Sequence, residues 1–325
     1  MKKAAKRIVL LAARFADPIV ALFCFPAALI LKAYRRLGLH RFRMTETMLL
    51  KVGVFPIRDH YYEPLFNPSA LKKDLRQERH LPAINLNLDD SIQLLRSFRF
   101  SEELRQFAAN RTDGEDVRFF MNNGAFESGD ADIWYSMIRH FKPRRIIEVG
   151  SGYSTLLARA AILKNRDEAS GYDCEHTCIE PFQNEWLEKC GARIHRKLVE
   201  DIPRGLFQEL DDRDFLFIDS SHIIRPQGDV LFEYLELIPA LRKGVIVHIH
   251  DIFTPKDYLD EWVVKEKYLW NEQYLLEAFL SFNSVFTVLA AVNHIHHRAY
   301  EQLSAVCANH ARTREPGSFY IRRVS

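Results

Sequence analysis

From Arg144 to its end the chain alternates short apolar runs with amphipathic stretches, and this alternation most constrains its fold. The runs are Arg144–Gly150, Cys174–Ile179, Ala192–Val199, Asp214–Asp219 and Gly244–Asp251. Helical patterns fall between them at Ser154–Lys164, Gln183–Lys189 and Asp229–Leu241. Continuous apolar runs separated by helices are the pattern of a parallel sheet covered on both faces. A helical stretch at Asn271–Phe282 and two more runs, Val285–Ala290 and Ser318–Val324, bring the expectation to seven strands. The class is α/β, Rossmann-like, with a mostly parallel sheet and helices on both faces.

The end of the first run carries the sharpest motif, Glu148-Val-Gly-Ser-Gly-Tyr-Ser-Thr155. A strand delivers Glu148, the chain turns through Gly150, Ser151 and Gly152, and a helix begins at Ser154. Glycines there let backbone approach a ligand at the strand's carboxyl end. The third glycine of a dinucleotide fingerprint would fall at Thr155, so that fingerprint is broken. A carboxylate two residues before the first glycine repels a pyrophosphate but suits a ligand bearing an amine and a sulfonium. Glu180 ends the second run, where a carboxylate can accept hydrogen bonds from both hydroxyls of a ribose. Asp201, after the third run, is placed to meet an adenine amino group, with Glu200 beside it.

The fourth run ends in Asp219-Ser-Ser-His222 and the fifth in His248-Ile-His-Asp251. Strand ends of such a sheet share one crevice. His222 is a candidate general base for a hydroxyl acceptor, with Asp219 beside it. Asp219 and Asp251 are hard oxygen donors that suit Mg²⁺ if they converge. His248 and His250 share one strand face and are expected to be structural. His294, His296 and His297 suggest a metal by residue type, but they are expected in a solvated loop without an acidic partner. The aromatic stretch from Phe253 through Tyr258, Trp262 and Trp270 to Tyr274 is read as either a substrate wall or core. Asn271 and Gln273 within it are candidate polyol contacts.

Residues 130–324 resemble a class I S-adenosylmethionine-dependent methyltransferase, and more narrowly the methyltransferase domain 24 family with its macrocin-O-methyltransferase-like sugar enzymes. The matching residues are Glu148–Thr155, Ile179-Glu-Pro181, Phe217-Ile-Asp-Ser-Ser-His222 and Ile249-His-Asp-Ile-Phe253. The resemblance implies a sheet whose last strand is antiparallel. It implies contacts of Glu148, Gly150 and Gly152 with the methionine part of the cofactor and of Glu180 with its ribose. It also implies O-methylation of a sugar, glycan or other small hydroxylated acceptor. Macrocin-type enzymes place two adjacent acids after the fifth strand; here the pair is His250-Asp251. Two rival readings are a nicotinamide-dependent Rossmann oxidoreductase, which Thr155 and Glu148 disfavour, and a catalytically silent membrane-associated scaffold.

The first 43 residues differ from the rest. Ten Lys and Arg stand there against one acid, Asp17, although the whole chain of 325 residues has a net charge of only +2. So small a net charge argues against a protein that coats nucleic acid. Residues 8–31 are apolar but interrupted by Arg14 and Asp17, and the longest charge-free stretch, Pro18–Leu31, is 14 residues. A bilayer span takes about 20. An interfacial helix on an anionic membrane, a poor span, and a helix packed on the body all remain open. Five irregularly spaced cysteines are read as reduced thiols. The expected division is 1–43 as an apolar, basic segment, 44–120 as an accessory region and 121–325 as the catalytic domain, in a cytoplasmic protein that touches a membrane through residues 1–43.

Overall fold

In the computed structural model the chain forms two compact units, residues 1–72 and 73–325. The structure describes residues 2–325 except 61, 66, 108, 112–116 and 183, and only the backbone of residues 2–11 and 39. This division coincides with neither the 43/44 nor the 120/121 boundary.

The first unit begins with one long helix, α1 (Lys2–Leu37), which runs through Pro18 and Pro26. A second helix, α2 (Arg43–Val52), ends where Gly53 turns left-handed at φ 79°. Glu63 ties the unit together, accepting two hydrogen bonds from Arg35 at 2.9 and 2.8 Å and others from Arg58. Among the described side chains of α1, Tyr34 is buried against Phe42, but Phe15, Leu22, Phe23, Phe25 and Ile30 are exposed. The stretch Ala12–Leu37 has the length and composition to cross a membrane.

The second unit holds helices α3 (Leu88–Ser97), α4 (Ser101–Leu104) and α5 (Asp130–Phe141), strand β1 (Arg145–Val149), helix α6 (Tyr153–Glu168), and strands β2 (Glu175–Ile179), β3 (Arg193–His195) and β4 (Phe215–Ile218). Then come α7 (Asp229–Phe232), β5 (Ile246–Ile249), α8 (Glu272–Leu280), β6 (Phe286–Ala291), α9 (Val292–Arg298), α10 (Tyr300–Ser304) and β7 (Phe319–Arg323). The seven strands run in the order β3-β2-β1-β4-β5-β7-β6. All pairs are parallel except those of β7, which is antiparallel to both β5 and β6. Strand order reverses between β1 and β4, which opens a crevice at their carboxyl ends.

Alternation along each strand splits the core into two layers. Phe215 and Phe217 of β4 pack with Trp134, Ile138 and Leu157 of α5 and α6, while Leu216 and Ile218 pack with Val230, Leu237 and Leu276. Residues 73–120 are part of this body: Leu95, Phe98, Leu104 and Phe119 are buried in the first layer.

Local differences from the expected elements have physical causes. Ser101–Ala109, with Ser101 a candidate cap and Glu102 and Glu103 suited to a helix N-terminus, predicts a helix, and it closes after one turn. Ser101 is its first helical residue, Phe100 occupies the cap position, and no side chain caps it. The helix expected over 183–189 is a 3₁₀ turn at Glu185–Lys189, and Gln183 lies outside the described residues. The strand expected to reach Val199 stops at His195, because Val199–Asp201 winds into a 3₁₀ turn. After α7 the chain widens into a π turn at Glu233–Leu237 and tightens at Ile238–Ala240, where Pro239 has no N–H for an α-helical bond.

Candidate active site

The glycine turn is shaped by the strand beside it. Gly150 has φ 76°, and a Cβ there would lie 1.9 Å from the carbonyl oxygen of Asp219. Its N–H donates to Ile179 (3.0 Å), while Asp219 donates back to Val149 (2.8 Å). Only a residue without a side chain fits where β1, β2 and β4 meet. Gly152 differs: its φ is −169°, and a Cβ would meet Asn184 at an ordinary 3.5 Å.

Glu180 faces this turn. Its Oε2 accepts from Ser151 N–H (3.2 Å) and its Oε1 from Phe182 N–H (2.9 Å). Glu180, Gly150, Pro181, Phe182, Leu198, Val199 and Glu200 share a cavity of about 270 Å³ with Asp219, Ser220, Ser221, Arg225 and Asp229. Of the two adjacent acids after β3, Glu200 lines the cavity, and its Oε2 is buried without a partner. Asp201 is exposed and absent from the lining. Successive side chains of a 3₁₀ turn point about a third of a revolution apart, so only one of the two can face inward.

Glu148 lies beneath the turn and does not line the cavity. It is fully buried and accepts a hydrogen bond from Thr155 Oγ1. Cys178 Sγ lies 3.7 Å from Glu148 Oε2, and His176 Nε2 lies 3.6 Å from its Oε1. Thr155 Oγ1 also accepts from Gly152 N–H (3.2 Å). The residue that breaks the dinucleotide fingerprint therefore links the acid to the turn. Ser151 is buried, and its Oγ has no partner.

Across the crevice, Asp219 and His222 follow β4, and His250 and Asp251 follow β5. His222 Nδ1 stands 2.7 Å from Glu272 Oε2, and Glu272 Oε1 accepts from Tyr234 Oη at 3.0 Å. His222 Nε2 faces Asp219 Oδ1 at 3.4 Å and Asp251 Oδ2 at 3.6 Å. Trp270 lies against the ring with centroids 4.3 Å apart. His222 and Asp251 both have φ 59°, a left-handed backbone that costs a residue with a side chain about 1–3 kcal/mol. The His222 carbonyl repays part of this by accepting from the N–H groups of Asn271 and Glu272.

Burial is the strongest single influence on the His222 ring and works to discharge it. Asp219 and Glu272 outweigh it and hold the pKa well above the ordinary value. Burial likewise acts to raise the Asp219 carboxyl, but His250 and His222 bring it far below the usual range. Burial raises the Asp251 carboxyl against the pull of the same two imidazoles.

His250 departs from the structural role expected of it. It is 6% exposed, and neither ring nitrogen has a hydrogen-bond partner. Its Nδ1 lies 3.5 Å from Asp219 Oδ1 and 3.4 Å from Asp251 Oδ1, and its Nε2 lies 3.8 Å from Asp130 Oδ2. His248, one strand position earlier, is structural as expected: its Nε2 is 2.9 Å from Ser318 Oγ and its ring stacks on Tyr320. Burial holds it well below the ordinary value.

Other expectations are redrawn. Gln273 is fully buried, and both ends of its amide bond the backbone of Phe253 and Lys256, while Asn271 Oδ1 accepts from Ile224 N–H. Phe253 and Tyr258 are core, with Trp262 and Trp270 packed on them. His294, His296 and His297 lie on α9 rather than in a loop, and His296 is buried. Glu272, Tyr234 and Asp130 carry no sequence signal of their own. Each becomes visible only when the fold brings it to a motif residue.

Residues 147–252 match a family model described as a methyltransferase domain. An uncharacterized protein of Archaeoglobus fulgidus is 26% identical over 180 residues, which cover 51% of this chain and 79% of that protein. Among solved structures, the O-methyltransferase TomG of Streptomyces achromogenes, involved in tomaymycin synthesis and in complex with SAM, is 14% identical. It covers 76% of this chain and 92% of that one at a TM-score of 0.37. CalS11, a TDP-rhamnose 3′-O-methyltransferase of calicheamicin biosynthesis, is also 14% identical, covering 77% of this chain and 99% of that one at a TM-score of 0.38. Those overlaps are loose, and the fold rests on strand order and register.

Proposed function

Since residues 147–252 carry a methyltransferase domain, we propose that the chain binds S-adenosylmethionine in the crevice above β1, β2 and β4 and transfers its methyl group to a hydroxyl of a sugar, glycan or other small acceptor. The observation that carries this reading is the pairing of the close-packed Gly150 turn with the Glu180 carboxylate on one cavity. The residues present fit the cofactor. Glu180 brings a carboxylate to the cavity, the group type that pairs with ribose hydroxyls, and Pro181, Leu198 and Val199 offer an apolar wall. Glu200 Oε2, buried without a partner, offers an acceptor for an exocyclic amine. When bound, the cofactor supplies a methyl group activated by its sulfonium.

The chain's own work is alignment and proton removal. Glu272 pins Nδ1 of His222 and Trp270 holds the ring, which leaves Nε2, on the side of Asp219 and Asp251, to take the acceptor's proton. Glu272 is a positioning residue for that base. A general base must be neutral, so a raised His222 pKa puts the active form on the alkaline side. Asp219 and Asp251 are the carboxylates that would hold a divalent cation. His222 and His250 beside them are nitrogen donors, a poor match to the oxygen shell of Mg²⁺, so no step is routed through a metal. Contact of residues 1–43 with a membrane, in a cytoplasmic protein, belongs to the same proposal. Support for it is the apolar α1 with its basic flanks.

Isothermal titration of the full chain with S-adenosylhomocysteine and with NAD tests the cofactor. Binding of the first and not the second is expected. Binding of NAD alone would sink the reading.

A further inference from the structure

One cluster lies outside the crevice and has no part in methyl transfer. His296 and His297 are on α9, while His310 and Glu315 come from the irregular segment between α10 and β7. His296 Nδ1 stands 2.8 Å from His310 Nε2, and His297 Nε2 stands 3.0 Å from Glu315 Oε2. The His296 ring meets those of His297 and His310 nearly at right angles, with centroids 4.7 and 4.9 Å apart. His296, His297 and Glu315 each bring a ligand atom to within 4.8 Å of the others. Ligand atoms around a tetrahedral Zn²⁺ stand about 3.3 Å apart, given bonds of about 2.0–2.1 Å. Admitting the ion means opening the two short pairs and turning the His310 ring, which lies outside that set of three, toward His297 and Glu315.

We propose that His296, His297, His310 and Glu315 form a site for a divalent cation of the Zn²⁺ class, which staples α9 to the segment leading into β7. Three imidazoles and one carboxylate are the donor set of a borderline cation rather than of Mg²⁺ or Ca²⁺. The carboxylate is already oriented, because Glu315 Oε2 accepts from Arg76 and from Asn293 Nδ2, both at 2.8 Å. Such outer hydrogen bonds typically hold a ligating carboxylate in place. His297 and Glu315 have side chains 26% and 27% exposed, so the cluster has an open side for entry.

The staple would act on a segment that the crevice depends on. Residues 305–318 contain no regular helix or strand. Their end supports the site acids: Gly317 and Ser318 donate to the Asp130 carboxylate at 3.1 and 2.7 Å, and Ile252 N–H donates to Gly317 at 2.8 Å. The cation is therefore structural, and it sits apart from Asp219 and Asp251.

The test uses the full chain freed of metal by dialysis against chelator, with Co²⁺ as a spectroscopic probe and Zn²⁺ as competitor. The wild type is expected to develop the intense visible bands of four-coordinate Co²⁺, which Zn²⁺ abolishes, and Zn²⁺ is expected to raise its melting temperature. His297→Ala and His310→Ala should each weaken Zn²⁺ binding by about 100-fold or more while the protein stays folded. A double variant, Asp219→Asn with Asp251→Asn, should bind as the wild type does. No visible bands in the wild type would overturn the site. So would bands lost in the aspartate variant but kept in both histidine variants. Neither outcome bears on cofactor binding in the crevice.

Discussion

The two sides of the crevice use acids in opposite ways. On the β1–β2 side the conformation is set locally: Gly150 lies against the backbone of Asp219, and Glu180 accepts from N–H groups of nearby Ser151 and Phe182. On the β4–β5 side the side chains are set from a distance. His222 is held by Glu272, 50 positions on, and His250 lies among Asp219, Asp251 and Asp130. The first side is a shaped surface for a ligand. The second is a cluster of paired charges, where moving one proton changes every partner.

The largest effect is expected on the shaped side. Gly150→Ala puts a Cβ 1.9 Å from the Asp219 carbonyl and forces a side chain into positive φ. A loss of about 3 kcal/mol or more is expected, read as a large fall in melting temperature together with lost S-adenosylhomocysteine binding. A folded Gly150→Ala protein with wild-type affinity would break the idea that this turn is dictated by backbone contact. Glu180→Ala comes next. It removes a carboxylate acceptor, and a hydrogen bond to such a group is worth about 1.5–3 kcal/mol. A roughly 10- to 100-fold weaker S-adenosylhomocysteine affinity is expected by titration, with the fold kept.

On the paired side, Glu272→Gln should leave cofactor affinity near wild type and lower turnover by about 10- to 100-fold, within the usual contribution of a positioned base. It should also move the acid limb of the pH–rate profile. Glu272 is one of the groups that raise the His222 pKa, so its neutral replacement lowers that pKa and shifts the limb to lower pH. A fall in turnover with an unmoved limb would assign Glu272 to stability alone.

The same contrast explains what could be read from the residues. Seven strands and the Gly150 turn were legible because apolar runs and glycine are local signals. Glu180 was legible because it ends a strand. Glu272 and Tyr234 were not, because nothing in Trp270-Asn-Glu-Gln-Tyr274 marks a glutamate whose partner lies across the fold. His250 shares with His248 the aromatic layer of Phe126 and Phe217, but its nitrogens also lie among Asp219, Asp251 and Asp130, and alternation along a strand does not signal the two of these acids that come from other elements. The histidines of α9 were set aside for lack of an acid, and Glu315 reaches them only because residues 305–318 fold back.

The smallest expected effect sharpens the comparison most, because it sets apart the two acids after β3. Asp201 is exposed and outside the cavity, and Glu200 lines it with a buried, unpartnered oxygen. Asp201→Ala should leave S-adenosylhomocysteine affinity within about twofold and stability within about 0.5 kcal/mol, as for an ordinary surface substitution. Glu200→Ala should weaken affinity by about 5- to 10-fold, the worth of one hydrogen bond of about 1–1.5 kcal/mol, without lowering the melting temperature. It removes a buried acceptor that has no protein partner, so the empty protein loses no hydrogen bond and the bound state loses one. Equal effects from the two substitutions would mean that the 3₁₀ turn at Val199–Asp201 does not sort its acids. The shaped side of the crevice would then end at Glu180.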